Sequence, residues 1–162
     1  MDDPVTRISL QGSEREAVLR RIGQVVASWG LRLPATPPDP LDFGLGDFAR
    51  FGETEFNIAN NVEQGYCGKF MFLFTGQTCP LHHHRVKHET FFVVKGRIEM
   101  DLDGRVTVLG QGDTCVVVQH ARHRFTALED SLVLESSRPD LVDDSIFDDP
   151  RINMLIFGTG QP

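Results

Sequence analysis

Hydrophobic positions along the chain follow two different periods. Between residues 13 and 29, Ala17, Val18, Ile22, Val25, Val26 and Trp29 recur three or four apart, which predicts an amphipathic helix that Gly30 ends. Ser13 followed three residues later by Glu16 reads as a capping box at its start. From about residue 55 the apolar runs become short and strand-like, predicting strands over 55–60, 66–75, 89–94, 97–102, 105–109, 114–118, 124–128 and 131–135. Asp103-Gly104 carries the signature of a two-residue type I′ hairpin turn. Between the two regimes, residues 33–52 hold Pro34, Pro37, Pro38 and Pro40, and neither period survives there. The expectation is a mainly β fold, a small antiparallel barrel with an N-terminal helix. Residues 1–52 would form the helix and crossing segment packed on a barrel of residues 53–162, one domain overall. Residues 139–150 are strongly acidic and predict a loop or an edge segment.

Composition narrows the function classes. With 23 acidic and 16 basic residues the chain carries a formal charge of −7, which works against a nucleic-acid surface. No apolar run approaches the roughly 20 residues of a membrane span, and the start, Met1-Asp2-Asp3-Pro4, lacks the basic and apolar regions of a signal peptide. A soluble, cytoplasmic protein is expected. Cys67, Cys79 and Cys115 are odd in number and not in metal-type spacing, which fits reduced thiols rather than a disulfide framework.

All six histidines, His82, His83, His84, His88, His120 and His123, fall in one window. On an extended segment His82 and His84 share a face while His83 points away. Glu89 opens the next apolar run, where a turn brings its carboxylate beside them, and His123 can supply a third imidazole. Three histidines and one carboxylate suit zinc, manganese, iron, cobalt or nickel and leave positions open for water or substrate. His83 and His88 are expected to point outward or to support the ligands, and His120 to sit at the rim.

The spacing Gly76-x5-His82-x-His84-x4-Glu89-x6-Gly96 resembles the first cupin motif, and Gly112-Asp113-x5-Gln119-His120-x2-His123 resembles the second, with its single ligand histidine. The resemblance implies a double-stranded β-helix, or jelly roll, with one divalent metal per chain. Beyond these motifs, Asp42-Phe43-Gly44-Leu45-Gly46, Cys67-Gly68-Lys69, Lys87-His88-Glu89-Thr90-Phe91 and Glu135-Ser136-Ser137 make the chain similar to the bacterial D-lyxose ketol-isomerase family from about residue 40 to about 152. That likeness implies an aldose–ketose isomerase for a small sugar of the lyxose or mannose type, with manganese the expected metal, and a homodimer. The segment between His84 and Glu89 is shorter than is common in that family.

Such a reaction moves a proton between C2 and C1 of an open-chain sugar and needs a base and a way to stabilise an enediol. Lys87, two residues before Glu89 on an extended segment, shares the ligand face, and an adjacent metal charge would lower its pKa. Glu135, after the apolar run Leu132-Val133-Leu134, is the other candidate acid/base, with pairing to Arg122 or Arg124 as its alternative use. Phe70, Phe72 and Phe74 alternate on one face and read as core, while Phe91 or Phe92 can line a pocket. Cys79, beside the ligand strand, is a packing residue or lines the site. Two other classes stay open at this point. One is a sugar-binding or regulatory cupin without turnover, which some sialic-acid-synthase-like enzymes carry as a domain. The other is an iron-dependent dioxygenase.

Overall fold

The computed structural model describes residues 4–158; the acidic start at residues 1–3 and the last four residues of the expected barrel segment lie outside them. A short helix α1 (Pro4–Arg7) precedes α2 (Gly12–Ser28). The long helix matches the periodic stretch, but its N-cap is Gln11, whose side chain makes no capping hydrogen bond. Ser13 therefore lies inside the first turn and cannot act as the expected cap.

The strands are β1 (Asp39–Leu41), β2 (Glu53–Asn61), β3 (Tyr66–Leu73), β4 (Thr78–His84), β5 (Glu89–Lys95), β6 (Arg97–Leu102), β7 (Arg105–Gly110), β8 (Thr114–Val117), β9 (His123–Ala127), β10 (Ser131–Ser137) and β11 (Ser145–Phe147). They form two antiparallel sheets, β1-β2-β3-β10-β5-β8 and β11-β4-β9-β6-β7. The sheets are not joined into a closed barrel, which corrects the expectation. The apolar side chains of both inner faces meet instead, as in a sandwich. The acidic stretch supplies a 3-10 turn (Val142–Asp144) and the edge strand β11, and then the unanticipated helix α3 (Pro150–Phe157), capped by Asp149. Among the described residues no helix is long and apolar enough to cross a membrane.

Two apolar clusters divide the work. Between the sheets, Met71, Leu73, Phe91, Val93, Ile98, Met100, Phe125 and Val133 form the main core. On the outer face of the six-stranded sheet, Ile22 and Val26 of α2 cover Phe56, Phe72, Phe74 and Leu132, and Trp29 stacks on Phe72 with centroids 5.8 Å apart. Burying a phenylalanine stabilises by about 1.5–3 kcal/mol, so the alternating phenylalanines of β3 hold the helix to the sheet. They face away from the cavity described below.

Two features of the motif are explained by backbone geometry. Gly96, between β5 and β6, has φ +83°, and a Cβ there would collide with the Asp130 carbonyl and Ser131. Only glycine fits this corner. The pairing of β4 with β9 sets His82 directly opposite His123 after a bulge that follows Cys79, while β11 sets Ser145 opposite His84.

Candidate metal centre

His82, His84 and His123 come from the five-stranded sheet and Glu89 from the first residue of β5 in the other, so the candidate ligands close across the gap between the sheets. The three imidazoles are buried, and their ligating atoms lie within 4.8 Å of one another. His82 and His123 have ring centroids 4.1 Å apart. Each ring is held from behind. Nδ1 of His82 lies 2.8 Å from the Pro80 carbonyl, Nδ1 of His123 lies 3.1 Å from the Ala121 carbonyl, and Nδ1 of His84 is 3.4 Å from the Ser145 hydroxyl. A carbonyl accepts only, so Nδ1 of His82 and His123 carries the proton and Nε2 is left as the lone-pair donor.

The Glu89 carboxylate reaches into this group, with Oε1 3.1 Å from His84 Nε2 and Oε2 3.3 Å from His123 Nε2. The second contact has no hydrogen-bond geometry, and both Glu89 Oε2 and His123 Nε2 are buried without a hydrogen-bond partner. Unpaired buried polar atoms are costly, and a cation between them would satisfy both. Burial, with the neighbouring His123 and His84, holds the His82 imidazole well below the usual histidine range, so it stays neutral as a metal ligand must. A nitrogen-rich set with one carboxylate fits a divalent transition ion.

Lys87 is buried, only 3% exposed, rather than solvated. Its Nζ lies 2.8 Å from Glu135 Oε1, 3.0 Å from Asp140 Oδ1 and 3.1 Å from Glu89 Oε1. Burial and the nearby Lys69 charge push its pKa down, but Glu135, Asp140 and Glu89 outweigh them and hold it above the usual lysine range. Three carboxylates surround the ammonium and favour its charged form. Glu135 is likewise buried and pairs with lysines, not with arginine; Arg122 pairs with Asp148, and Arg124 with Asp101 at 3.2 Å. Ser137 donates to Glu135 Oε1 over 2.7 Å.

Five contributors escaped the sequence reading as functional groups. Lys69 Nζ contacts Glu55 at 2.6 Å, Asp140 at 3.0 Å and Glu135 at 3.6 Å, so Glu135 and Asp140 each bridge the two lysines. Asp144 accepts from the backbone N–H of Arg85 and Val86 through Oδ1 and of Lys87 through Oδ2, at 2.8–3.0 Å, which fixes the short loop between His84 and Glu89. Glu53 and Glu55, alternate residues of β2, line the same cavity. The signal that could have pointed inward is the carboxylate pair at period two, Glu53 and Glu55, on one face of a strand. The remaining sequence candidates separate cleanly. Phe91 and Cys79 line the cavity, Phe92 points out, and His83 and His120 face each other on the outside with centroids 6.5 Å apart.

The cavity holds about 240 Å³ between the sheets and is bounded by His82, His84, Glu89, Lys87, Glu135 and Glu53 among others. That volume and its polar wall suit a small polyhydroxylated molecule better than a large apolar one.

Comparison with known proteins agrees with this geometry. Residues 38–100 match the family described as D-lyxose isomerase, and residues 70–135 match the cupin domain. The D-lyxose/D-mannose isomerase of Thermosediminibacter oceani is 29% identical over 142 aligned residues, covering 70% of this chain and 77% of that protein. The D-lyxose ketol-isomerase of a Thermofilum species is 27% identical, covering 70% and 78%. Among solved structures, the L-ribose isomerase of Acinetobacter sp. superposes with a TM-score of 0.73 over 93% of this chain and 97% of that one, at 14% identity, a likeness of fold. KdgF from Halomonas sp. is 27% identical with a TM-score of 0.52, covering 56% of this chain and 82% of that one. Motif, paired sheets and these matches together support placing the chain with the cupins of the D-lyxose isomerase-like family.

Proposed function

We propose that the protein is a metal-dependent aldose–ketose isomerase acting on a small sugar of the lyxose or mannose type. The observation that carries this reading is the contact of Lys87 with Glu135, 2.8 Å apart and lining the same cavity as His82, His84 and Glu89. A module that only binds sugar has no need of a buried acid–base pair beside its ligand set. His82, His84, Glu89 and His123 are the residues we assign to the metal, with manganese first and zinc, iron, cobalt or nickel as alternatives. A divalent cation bound there supplies Lewis-acid stabilisation of negative charge developing on the sugar oxygens.

The chain's own residues then divide the proton work. In the open-chain aldose, Glu135 takes the proton from C2, the C–H electron pair forms the C1–C2 double bond while the C1 carbonyl pair moves onto O1, a proton passes from the C2 hydroxyl to O1, and the same carboxyl returns its proton to C1 as the C2 carbonyl forms. Lys87, held cationic by its carboxylate neighbours, donates a hydrogen bond to the oxygen on which charge accumulates. It acts as a donor rather than the base. Ser137 fixes the orientation of Glu135 through its hydrogen bond. The site is set on residues 53–158, with residues 4–52 as its covering layer, and we infer a homodimer.

The test is conversion of pentoses and hexoses by chelator-stripped protein refilled separately with Mn²⁺, Co²⁺, Ni²⁺, Zn²⁺ or Fe²⁺, with the product identified by chromatography. The reading predicts ketose formation that depends on metal, is lost in His84→Ala, and survives strict exclusion of oxygen. The same preparation sizes at twice the 18.2 kDa chain mass. Sugars that raise the melting temperature without conversion by any metal form would make the protein a binding cupin and overturn the enzymatic reading.

A further inference from the structure

The wall of the cavity opposite the histidines is built by β2, whose alternate residues Glu53, Glu55 and Asn57 line it. The acidic groups along this wall are not equivalent. Glu55, Glu135 and Asp140 each have a lysine partner within 3.0 Å. Glu53 has no ion-pair partner among the described residues, and its Oε2 is buried without a hydrogen-bond partner although the residue is only 4% exposed. The Cys79 thiol on β4 lines the same cavity, 3.9 Å from His82 Nδ1.

An orphaned carboxyl oxygen inside a protein costs free energy unless something pairs with it. Burial, with the neighbouring Glu55 charge, raises the Glu53 pKa to about 8, so near neutral pH the group is a carboxylic acid, a single donor with acceptor oxygens. A sugar hydroxyl has the same mixed donor and acceptor character. Glu53 belongs neither to the candidate ligand set nor to the Lys87–Glu135 pair, which leaves its carboxyl to meet a hydroxyl other than those at the reacting carbons.

We propose that Glu53 is a specificity-determining residue that hydrogen-bonds one hydroxyl of the bound aldose beyond C2, and so sets which sugars the cavity accepts. This rests on the isomerase reading above. A site built to bond a hydroxyl rejects the analogue that lacks it, because the protein group is then left unpaired.

The experiment compares the metal-refilled enzyme, Glu53→Ala and Glu53→Gln on the preferred aldose and its deoxy derivatives at each carbon beyond C2. Both kcat/KM and calorimetric Kd are read, and metal content and melting curves confirm folded, loaded protein. The wild type should lose roughly 10- to 100-fold on one deoxy sugar. Glu53→Ala should treat that deoxy sugar and its parent alike within about threefold, and Glu53→Gln, which keeps a donor and an acceptor, should retain the discrimination. A wild type indifferent to every deletion, or a Glu53→Ala enzyme that discriminates as the wild type does, overturns the role of Glu53 while leaving isomerisation intact. If the wild type binds but converts nothing, the isomerase reading alone fails and the Kd values still decide Glu53. Protein that neither binds nor converts any sugar overturns both.

Discussion

Burial acts on Glu53 and Lys87 in the same sense, disfavouring charge, yet the two side chains end in opposite states. Lys87 has three carboxylates around it and keeps its proton and its charge. Glu53 has no paired cation, and its pKa rises from an ordinary 4.5 to about 8. The consequence for stability follows from linkage. Between these two values the native state binds a proton that the unfolded chain has released, so this contribution is complete below pH 4.5 and is lost as the pH rises through about 8. Glu53→Gln removes the dependence. In metal-free protein, the melting temperature of Glu53→Gln relative to wild type should rise between pH 5 and pH 9 by several degrees, on the order of 2–4 °C per kcal/mol for a chain of this size. A difference that stays flat across that range would mean Glu53 is ionised or solvated in the native state.

Elements explain why some of the site was legible and some was not. His82, His84 and Glu89 could be placed together because an alternating strand and a short turn dictate their faces locally. Membership of His123 needed only one further strand, which pairs it directly with His82. Glu53 and Lys69 required the strand order β2-β3-β10-β5, which no local pattern specifies. On β2 the usual assignment is also inverted, since Phe56 faces the helix α2 on the outside and the polar alternates face the cavity. The acidic stretch was readable as an edge segment, and β11 is one, but its purpose lies in a contact across 57 positions, from Asp144 to the N–H of Lys87. One carboxylate that satisfies three successive backbone donors preorganises the loop joining His84 to Glu89. Asp144→Ala removes the acceptor of all three, including the buried N–H of Lys87. The expected result is a lower melting temperature and metal affinity weakened by about 10- to 100-fold, read by competition with a chromophoric chelator. Unchanged affinity would show that the loop holds its shape without Asp144.

At the scale of the whole molecule, the two sheets bring together groups of different kinds at one gap. The five-stranded sheet contributes three imidazoles, and the six-stranded sheet contributes Glu89, Glu135 and Lys69, with Lys87 on the loop between. Cavity formation costs packing contacts, and the outer cluster under α2 gives the cavity-lining region of the six-stranded sheet an apolar backing. The double-layer, mainly β architecture was evident from strand spacing; its open edges were not, because closure depends on whether the outermost strands β8 and β7, or β1 and β11, pair with each other. The account as a whole stands on Glu135 moving a proton between sugar carbons beside a metal held by three histidines and Glu89. The most direct measurement is proton NMR of lyxose or mannose with manganese-free, zinc- or cobalt-refilled enzyme in D₂O, for wild type and Glu135→Gln. The account predicts ketose formation with solvent deuterium entering at C1, and loss of both by at least about 100-fold in Glu135→Gln while metal content is unchanged. Ketose formed at the wild-type rate by Glu135→Gln would contradict it.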